Sequence, residues 1–418
     1  MSEYAAYVGW DWADREHVIE LREPGSESSE KMSVEGRPEA LHEWAAAVKR
    51  RYQDGRIAVC VETSRGAVIW ALLGYEHIVL YPVNPKSAAS FRETFYPSGK
   101  KDDPVDAGVL LEMLEKHHHK LRPLDPADPA TRTLAMLSEY RRRLVGQKVR
   151  LVQQLGSNLK TYFPQALELT GELDTAMACD FLERWPSLDR LQKSRAETVR
   201  KFYQQHGSRS EKLIQERLDV IRTSVALTND RAVMECGQIQ TLSLVPLLRA
   251  QLQSIAMVEK ELSVRYKTHP EWELIDSFAG VGEVLGPRLI GILGSDRNRF
   301  HGAEELQRFT GIAPITSRSG GRDGTVIVHR RLKRSKFVQQ TIIEWAASSV
   351  IQSAWARAYY EHHRERGRSR YVILRSLGYK LLRILFHCWK ERIPYNEATH
   401  QETLRNRRSP IAARLAAR

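Results

Sequence analysis

The pattern of hydrophobic and polar positions divides the chain into an N-terminal part with short apolar runs and a remainder with long helical repeats. In the N-terminal part, apolar runs of strand length predict four strands, and the first two look like a hairpin. The predicted strands are residues 7–12, 17–21, 56–62 and 78–83. An amphipathic helix is predicted over residues 38–52. A further helix runs from Pro104 to about Leu114, because proline is tolerated in the first turn of a helix. This part is therefore predicted to be α/β.

Farther along the chain, apolar positions recur at helical spacing over two long stretches. Leucines recur at three, four and seven residues across 134–159, until a Phe-Pro pair at 163–164 ends the run. The second stretch covers residues 242–266 and has a similar apolar seam. Two helices of this length predict an antiparallel hairpin or a coiled coil shared by two subunits, with an ordinary helical bundle as the alternative. Residues 165–240 have helical character without a recognisable motif.

The predicted organisation has four parts. They are an α/β domain over residues 1–125, a helical coiled-coil connector over 126–270, a mainly helical domain over 271–396 and a basic flexible tail over 397–418. The tail is expected to bind polyanions because it carries five arginines, at positions 405, 407, 408, 414 and 418.

Composition narrows the class of partner. The chain has 418 residues, with 64 lysines and arginines against 51 aspartates and glutamates, and a formal net charge of +13. A cationic surface of this kind favours nucleic acid first and anionic membrane second. The four cysteines are scattered without a Cys-x-x-Cys pair, which indicates reduced thiols and no zinc site. We recognise neither a signal peptide nor an apolar run long enough to cross a bilayer, so we expect a cytoplasmic protein associated with the nucleoid.

Four acidic residues form the first candidate site. Asp11 ends the first predicted strand, Glu62 ends a central strand, and Asp103 and Asp106 lie three residues apart on the first turn of the following helix. Four converging carboxylates repel one another unless cations neutralise them, and such oxygen ligands suit Mg²⁺ or Mn²⁺. This order of acids is what a ribonuclease-H-like metal site for phosphoryl transfer requires. Asp102, four residues before Asp106, is an alternative to Asp103, and any of these acids alone could be an ordinary turn or capping residue.

Two further candidates lie in the C-terminal part. Residues 278–287 have the helix, glycine turn, helix outline of a helix-hairpin-helix, in which backbone N–H groups bind a DNA phosphate without reading bases. Ser319 is followed by two glycines and is a candidate nucleophile, because small neighbours let a phosphate approach its hydroxyl. The alternatives are an ordinary connection between helices and an ordinary loop serine.

Basic side chains on the first long helix and around the candidate serine are the candidate contacts to nucleic acid. Arginine suits phosphate because its guanidinium donates two parallel hydrogen bonds, and solvated charges are the alternative interpretation. The candidates are Arg141, Arg142, Lys148, Arg318, Arg322, Arg330, Arg331 and Lys333.

The order of these motifs resembles the IS110 family of transposases over residues 5–395. The resemblance rests on Gly-Trp-Asp at 9–11, Glu-Thr at 62–63, Val-Asn-Pro at 83–85, Lys-Asp-Asp-Pro-Val-Asp-Ala at 101–107, the Phe-Pro pair, the Gly-Val-Gly turn, and Gly-Ile-Ala-Pro followed by Ser-Gly. It implies a RuvC-like DEDD domain with Asp11, Glu62, Asp103 and Asp106 as metal ligands, a coiled-coil connector, and a C-terminal domain with Ser319 as nucleophile. It also implies a homodimer or tetramer that moves its element through a circular intermediate, guided by a structured bridge RNA.

The predicted function is therefore DNA strand transfer through a covalent phosphoserine, without a nucleotide cofactor. The acid set and the serine are expected to form a composite site, within one chain or across two subunits. Two alternatives stay open: a RuvC-like nuclease or junction resolvase in which water attacks, and a nucleic-acid-binding protein without catalysis. The chain departs from the family pattern at two places. Thr63-Ser64-Arg65-Gly66 follows the glutamate, and Gln339 stands where many relatives have arginine. These differences affect the expected RNA contacts and the side chains expected to hold the phosphate.

Overall fold

The computed structural model describes residues 3–53, 55–63, 66–95, 103–124, 127–318, 326–329 and 335–416, with the backbone alone for 103–105, 316–318, 326–329 and 416. The chain forms two compact units, Met1–Pro126 and Ala127–Arg418. The first unit contains a mixed sheet covered by helices, and the second is mostly helical. The predicted combination of an α/β part and a helical remainder is confirmed.

A five-stranded sheet forms the centre of the first unit. In the sheet the strands are ordered β3-β2-β1-β4-β5, with β1, β4 and β5 parallel and β2 antiparallel to both of its neighbours. The parallel strands are buried over almost their whole length, as expected when helices cover both faces. The strands are β1 (Ala6–Asp11), β2 (Glu16–Arg22), β3 (Glu30–Glu35), β4 (Ile57–Val61) and β5 (Ile78–Pro82).

Four of these strands match the predicted ones to within one residue at each end, and β3 was not predicted. The sequence of β3 is polar, and Val34 is its one buried side chain. Its extended conformation depends on pairing with β2 at the edge of the sheet, because its own residues lack a clear apolar alternation.

Helices cover both faces of the sheet. α1 and α2 pack on the face that carries Val8 and Trp10, where the Trp10 and Trp44 rings meet edge to face at 4.8 Å between centroids. α4 packs on the opposite face, against Tyr7 and Gly9. α1 has the predicted bounds, and α4 begins one residue earlier than predicted. The helices are α1 (Pro38–Tyr52), α2 (Ala67–Leu72), α3 (Pro85–Phe95) and α4 (Asp103–His117), and a 3-10 turn follows at His118–Lys120.

The described residues of the second unit form 15 helices and a two-stranded antiparallel ribbon. The ribbon consists of β6 (Ile315–Arg318) and β7 (Val326–His329). The helices are α5 (Pro129–Tyr162), α6 (Gln165–Thr170), α7 (Ala176–Arg184), α8 (Leu188–Gln192), α9 (Ala196–Gln205), α10 (Glu211–Thr223), α11 (Arg231–Lys267), α12 (Trp272–Asp276), α13 (Gly282–Leu293), α14 (Ala303–Phe309), α15 (Lys336–Gln352), α16 (Ala354–Glu365), α17 (Arg370–Glu391), α18 (Glu397–Asn406) and α19 (Pro410–Ala416).

The two long helices α5 and α11 form an antiparallel hairpin. Near the end of α5, the Tyr162 hydroxyl hydrogen-bonds the Thr241 hydroxyl in the first part of α11 at 2.7 Å. Earlier in α5, Arg141 pairs with Glu259, which lies much later in α11. Asn158 fixes the register inside the seam by donating to Thr241 at 2.9 Å. The antiparallel hairpin was one of the predicted alternatives, and a coil shared between subunits stays a prediction.

Hydrophobic cores form at both ends of this hairpin. The short helices α6–α10 close over one end, around Phe181 and Trp185, and account for the motif-free stretch of the sequence. Helices α12–α19 pack over the other end, around Trp345 and Trp389. The ribbon formed by β6 and β7 belongs to the same unit as this second core.

The structure corrects the predicted flexible tail. Residues 397–416 form α18 and α19, and Ile411 and Ala412 are buried against the rest of the unit. Arg414 forms ion pairs with Glu361 and Glu365 of α16. The prediction rested on the charges of this segment, whereas its apolar residues Leu404, Ile411 and Leu415 pack against the core of the second unit.

By length and composition, α11 could cross a membrane, with a mean hydropathy of 1.2 over 18 residues, and it is the one described helix of which this holds. No run of this length was predicted from the sequence. This is weak evidence for a membrane segment, because apolar helices of packed cores have the same composition. Packing against α5 accounts for the buried apolar positions of α11, and its exposed apolar face needs a separate explanation.

Candidate metal and nucleic-acid site

Two of the predicted acids lie side by side at one edge of the sheet. The parallel register of β1 and β4 places Trp10 opposite Val61, so Asp11 and Glu62 are the next residues on adjacent strands. Neighbouring strands lie about 4.8 Å apart, so both acids occupy the same carboxyl edge. Trp10 and Val61 point into the core under α1 and α2, and by alternation the two acids point to the α4 face.

An electrostatic effect on Cys60 agrees with this placement. Cys60 packs on the α4 face of the sheet. Burial raises the pKa of its thiol, and the carboxylate of Glu62 raises it further. The Glu62 side chain is therefore close to the α4 face, and like Asp11 it is partly exposed.

The first turn of α4 lies near the same edge because α4 runs antiparallel to β1. Toward the end of α4, Glu115 pairs with Arg22 at 2.9 Å, and Arg22 lies opposite Tyr7 near the start of β1. Near the start of α4, Ala107 lies over Gly9, close to the end of β1. The helix therefore presents its acidic first turn at the end of the strand that carries the acids.

Gly9 is required for this close approach. A methyl group at position 9 would overlap the carbonyl oxygen of Ala107 and lie 2.5 Å from the backbone nitrogen of Leu111. Only glycine lets the helix backbone lie directly on the strand. Gly9 belongs to the Gly-Trp-Asp motif, but this structural role was not predicted from the sequence.

Asp106 lies directly before Ala107 and forms an ion pair with Arg92 of α3. Both side chains are largely buried, with 17% of Asp106 and 24% of Arg92 exposed. Among the side chains that the structure describes, no three acidic, histidine or cysteine groups are arranged to hold a metal ion. Asp102 and the side chain of Asp103 lie outside the described residues. The structure thus brings Asp11, Glu62 and the start of α4 to one edge, with Asp106 neutralised by an arginine.

His17 supports the turn that follows Asp11 and was not singled out from the sequence. Its Nδ1 accepts a hydrogen bond from the backbone N–H of Ala13 at 3.1 Å. Burial lowers the pKa of His17, so the neutral ring that can accept this bond is favoured.

The predicted nucleic-acid contacts on α5 have partners inside the protein. Arg141 forms an ion pair with Glu259, and Lys148 pairs with Asp174 at 2.5 Å. The guanidinium of Arg142 lies 5.1 Å from the centroid of the Phe337 ring. These side chains hold α5 against its neighbours, and their contact with nucleic acid stays a prediction.

The predicted glycine turn connects α12 and α13, and the N–H of Gly280 within it is already hydrogen-bonded inside the protein. Gly280 has a φ of 80°, and its N–H donates to the side-chain oxygen of Gln352 at 2.9 Å. A Cβ atom on Gly280 would lie 2.5 Å from the backbone nitrogen of Ser349. The turn therefore packs against α15, and this N–H is not available to a phosphate. The helix-hairpin-helix role stays a prediction.

The candidate serine lies outside the described residues, together with Arg322, Arg330, Arg331 and Lys333. Arg318 is the last residue of β6 and is described by its backbone alone.

The segment that leads to Ser319 is held from two helices. From α15, the buried amide of Gln339 donates to the Gly311 carbonyl at 2.8 Å. From α17, the Nε of Arg375 donates to the Ile312 carbonyl at 2.9 Å. Many relatives are expected to have arginine at position 339. In this chain Gln339 has a structural role, because it helps to position this segment.

A large groove lies beside this segment and was missed by the sequence analysis. It has a volume of about 1260 Å³ and is formed by α16, α17, α18 and α19 together with the turn before β6. We call it the α17 groove. One wall is a row of side chains spaced four residues apart, so that each is a neighbour of the next along the helix. The row consists of Tyr371, Arg375, Tyr379, Arg383 and His387. This regular alternation of aromatic and basic residues is the signal by which the sequence could have revealed the wall of the groove.

Family models match both parts of the chain that carry the candidate residues. A model described as a transposase, for the IS110-type DEDD domain, matches residues 8–164. A second, described as transposase of the IS116/IS110/IS902 family, matches residues 272–361. Together the matches cover more than half of the chain, in the order predicted from the motifs.

Individual relatives agree with this result. The chain is 27% identical over 398 residues to a Streptomyces coelicolor protein named "Mini-circle putative transposase for IS117", covering 94% of this chain and 95% of that protein. It is 29% identical over 209 residues to "Putative transposase y4uE" of Sinorhizobium fredii, covering 49% and 57% of the two chains. It is 25% identical over 297 residues to "Insertion element IS110 uncharacterized 43.6 kDa protein" of Streptomyces coelicolor, covering 70% and 71%.

Proposed function

Because the chain belongs to the IS110 family of transposases, we propose that it cleaves and rejoins DNA strands through a covalent phosphoserine formed at Ser319, with a divalent cation held by acids of the DEDD domain. The observation that carries the first half of this proposal is the placement of Asp11 and Glu62 on one edge of the sheet, beneath the acidic start of α4. The second half rests on the family match, which covers the segment with Ser319.

The donor set fits a hard divalent cation in its chemistry. Asp11 and Glu62 offer carboxylate oxygens from adjacent strands, and Asp106 and Asp103 lie on the helix turn that approaches them. Asp106 has to exchange its bond to Arg92 for a metal contact. When bound, Mg²⁺ or Mn²⁺ supplies positive charge that neutralises and orients the scissile phosphate.

The serine step conserves the phosphodiester energy. The Oγ of Ser319 forms a bond to phosphorus while one phosphorus–oxygen bond of the DNA backbone breaks, and the hydroxyl proton ends on the departing sugar oxygen. A hydroxyl of the partner strand then attacks the phosphoserine, which restores a phosphodiester and returns the proton to Ser319. Because each bond broken is matched by one formed, no nucleotide cofactor is required.

Basic residues around Ser319 are proposed to hold the phosphate during both steps. Arg318, Arg322, Arg330 and Arg331 are close to it in sequence, and Lys333 follows them. A guanidinium can compensate the charge that develops on the phosphoryl oxygens in the transition state. A structured RNA that guides the enzyme to its DNA sites is part of the same proposal, and it rests on the family membership alone.

The outer face of α11 is proposed to pair with a second copy of the chain. Opposite the α5 seam, Ile239, Leu247 and Met257 are 67%, 57% and 67% exposed. Between residues 236 and 258 the one charged side chain is Arg249, which pairs with Asp180 on α7 rather than facing outward. Exposed positions recur at alternating spacings of four and three residues along 239–257, with Ile239 and Met257 at the two ends of the series and Leu247 beside it.

The test uses the full-length protein with Mg²⁺, labelled DNA spanning the junction of its element, and RNA transcribed from the flanking non-coding region. We expect a protein–DNA adduct that resists denaturation and is absent from both the Ser319→Ala and the Asp11→Ala variants. Nicked DNA without an adduct, unchanged by Ser319→Ala, would identify a hydrolytic nuclease instead. Binding without any strand breaks, equally strong without metal, would identify a binding protein and overturn the proposal.

A further inference from the structure

We propose that the α17 groove binds unpaired nucleotides of the DNA strand that is cleaved beside it. The inference rests on the proposed function for the presence of DNA strands at this unit. It goes beyond that function by assigning a binding site, a strand state and a set of contact residues that the strand-transfer chemistry does not specify.

The charge of the groove is positive. Four cations line it, Arg375, Lys380, Arg383 and Arg407, and its described lining contains no aspartate or glutamate. None of the four forms an ion pair with a carboxylate among the residues that the structure describes. Glu397, which follows the groove-lining Asn396, accepts hydrogen bonds from Ser353 Oγ and the Ala354 N–H. A concave surface with unneutralised cations favours a polyanion.

The aromatic rings of the groove alternate with its basic side chains. Tyr371, Arg375, Tyr379 and Arg383 follow one another at steps of four residues along α17 and all line the groove. Tyr371 is 46% exposed, so part of its side chain is accessible to a ligand. Bases stack on such rings, and the alternation lets a strand place its bases on tyrosines and its phosphates on arginines.

Packed aromatic rings form the floor of the groove. Trp355 donates through Nε1 to the Tyr395 hydroxyl at 2.8 Å, and Tyr395 stacks on Phe278 with ring centroids 4.7 Å apart. Lys380 lies over the Tyr359 ring at 5.6 Å. Trp355, Tyr359 and Phe278 are buried and Tyr395 is partly buried, so these packed rings hold the shape of the groove before a ligand binds, which reduces the entropy lost on binding.

The size of the groove favours a strand over a single small ligand. Its volume of about 1260 Å³ exceeds the ~300–1,000 Å³ typical of pockets for drug-sized molecules. The row from Tyr371 to His387 extends along α17 for about 24 Å at 1.5 Å per residue. Stacking on tyrosine needs the face of a base, which a duplex hides, so the proposed ligand is an unpaired stretch.

The location connects the groove with DNA rather than with another polyanion. Ile312 and Pro314 line it, and the chain continues from them through β6 to Ser319. Arg375 binds the Ile312 carbonyl through Nε, while its buried Nη2 has no hydrogen-bond partner within the described part of the chain. A buried donor without a partner is costly, and a phosphate oxygen at the edge of the groove would satisfy it.

The experiment measures binding without chemistry. Full-length protein carrying Ser319→Ala is titrated in EDTA against a fluorescent 12-nucleotide oligothymidine, and binding is followed by anisotropy. Tyr371→Ala is expected to weaken binding by about fivefold or more, because one stacked base is lost, whereas Tyr371→Phe is expected to retain it. Arg383→Gln is expected to lower the slope of log affinity against log salt by about 0.7.

Matched controls separate the groove from the general charge of the protein. Tyr140 on α5 is 41% exposed, and Arg222 on α10 has 78% of its side chain exposed. Tyr140→Ala and Arg222→Gln are expected to leave oligothymidine binding unchanged. The affinity for a duplex hairpin of equal length is expected to change little in either Tyr371→Ala or Tyr140→Ala.

A crosslinking measurement locates the strand independently of any groove variant. With 5-iodouracil in the oligonucleotide, ultraviolet light should couple it to the peptide that contains Tyr371 or Tyr379. The proposal would be overturned by crosslinks confined to other peptides, or by control variants that lose as much affinity for oligothymidine as the groove variants do. Tighter binding of oligouridine RNA or of an acidic peptide than of oligothymidine would also overturn it. If the unsubstituted protein forms no phosphoserine adduct but the groove crosslink is observed, the serine mechanism is refuted and the groove proposal stands. An adduct without the crosslink would refute the groove alone.

Discussion

The position of α4 and of its acidic first turn depends on Gly9, because this residue has no side chain to hold the helix away from the strand. We expect Gly9→Ala to destabilise the first unit by about 1–3 kcal/mol or more, because a methyl group would overlap the Ala107 carbonyl and push the helix from the strand. Urea unfolding followed by far-ultraviolet circular dichroism measures this change. The phosphoserine adduct should decrease as well, since Asp106 would move away from Asp11.

A control within the same unit is available at Gly74. A Cβ atom at this position meets nothing within 4 Å, and its φ is not in the left-handed region. Gly74→Ala should therefore leave the free energy of unfolding within about 0.5 kcal/mol of the original value. If Gly9→Ala were as stable as Gly74→Ala, the described contact between α4 and β1 would be wrong.

Arg92 is the residue whose charge opposes metal binding at the DEDD acids. Its ion pair with Asp106 has to open before that carboxylate can serve as a ligand. We expect Arg92→Gln to bind Mn²⁺ about three- to tenfold more tightly, a change of roughly 1 kcal/mol, with free Mn²⁺ measured by electron paramagnetic resonance. Arg50→Gln is the control, because Arg50 is an exposed arginine of the same unit on α1. Unchanged or weaker Mn²⁺ binding by Arg92→Gln would show that Asp106 is not a ligand.

At the scale of elements, the sequence predicts the helices and strands whose conformation is determined by their own residues. The run Ile57–Val61 is apolar at five successive positions, and the leucine repeats of α5 continue for many turns, so both are recognisable without tertiary information. The edge strand β3 and the packed helix α19 depend on their neighbours and were missed. For the same reason Asp11 and Glu62 could be proposed from strand ends, whereas the Arg92–Asp106 pair and the concavity of the α17 groove require the folded structure.

The element that most needs a partner is α11. We expect Met257→Glu to convert an associated form of the protein to monomers, because a carboxylate at this position would be buried without a partner in a paired α11 face. Light scattering coupled to size-exclusion chromatography gives the molar mass. Val225 is 79% exposed and lies outside α11, so Val225→Glu is expected to leave the mass unchanged. An unaltered mass for Met257→Glu, with the thermal unfolding temperature preserved, would exclude this face as the contact.

At the scale of the whole molecule, buried histidines link stability to pH. Burial lowers the pKa of His17 in the first unit and of His269, His363 and His400 in the second. In the unfolded chain these groups titrate near pH ~6.5. The unfolded chain therefore takes up protons at a pH at which the folded chain does not, and the free energy of unfolding decreases as the pH falls below that value.

His269 shows the structural reason and provides the measurement. Its Nδ1 accepts from the Glu271 N–H at 3.1 Å, and its Nε2 bonds the Thr131 hydroxyl at 3.0 Å, so a second ring proton would break the first of these bonds. The free energy of unfolding should fall less steeply between pH 7 and pH 5 in His269→Gln than in the original protein. The difference in slope is expected to be at most about 1.4 kcal/mol per pH unit, which is the effect of one proton. Urea unfolding across this range measures the slope, and exposed His387 supplies the control His387→Gln. A slope that is equal in both variants would mean that His269 binds its proton equally well in the folded chain, and the buried chain of hydrogen bonds from Glu271 to Thr131 would then not form in solution.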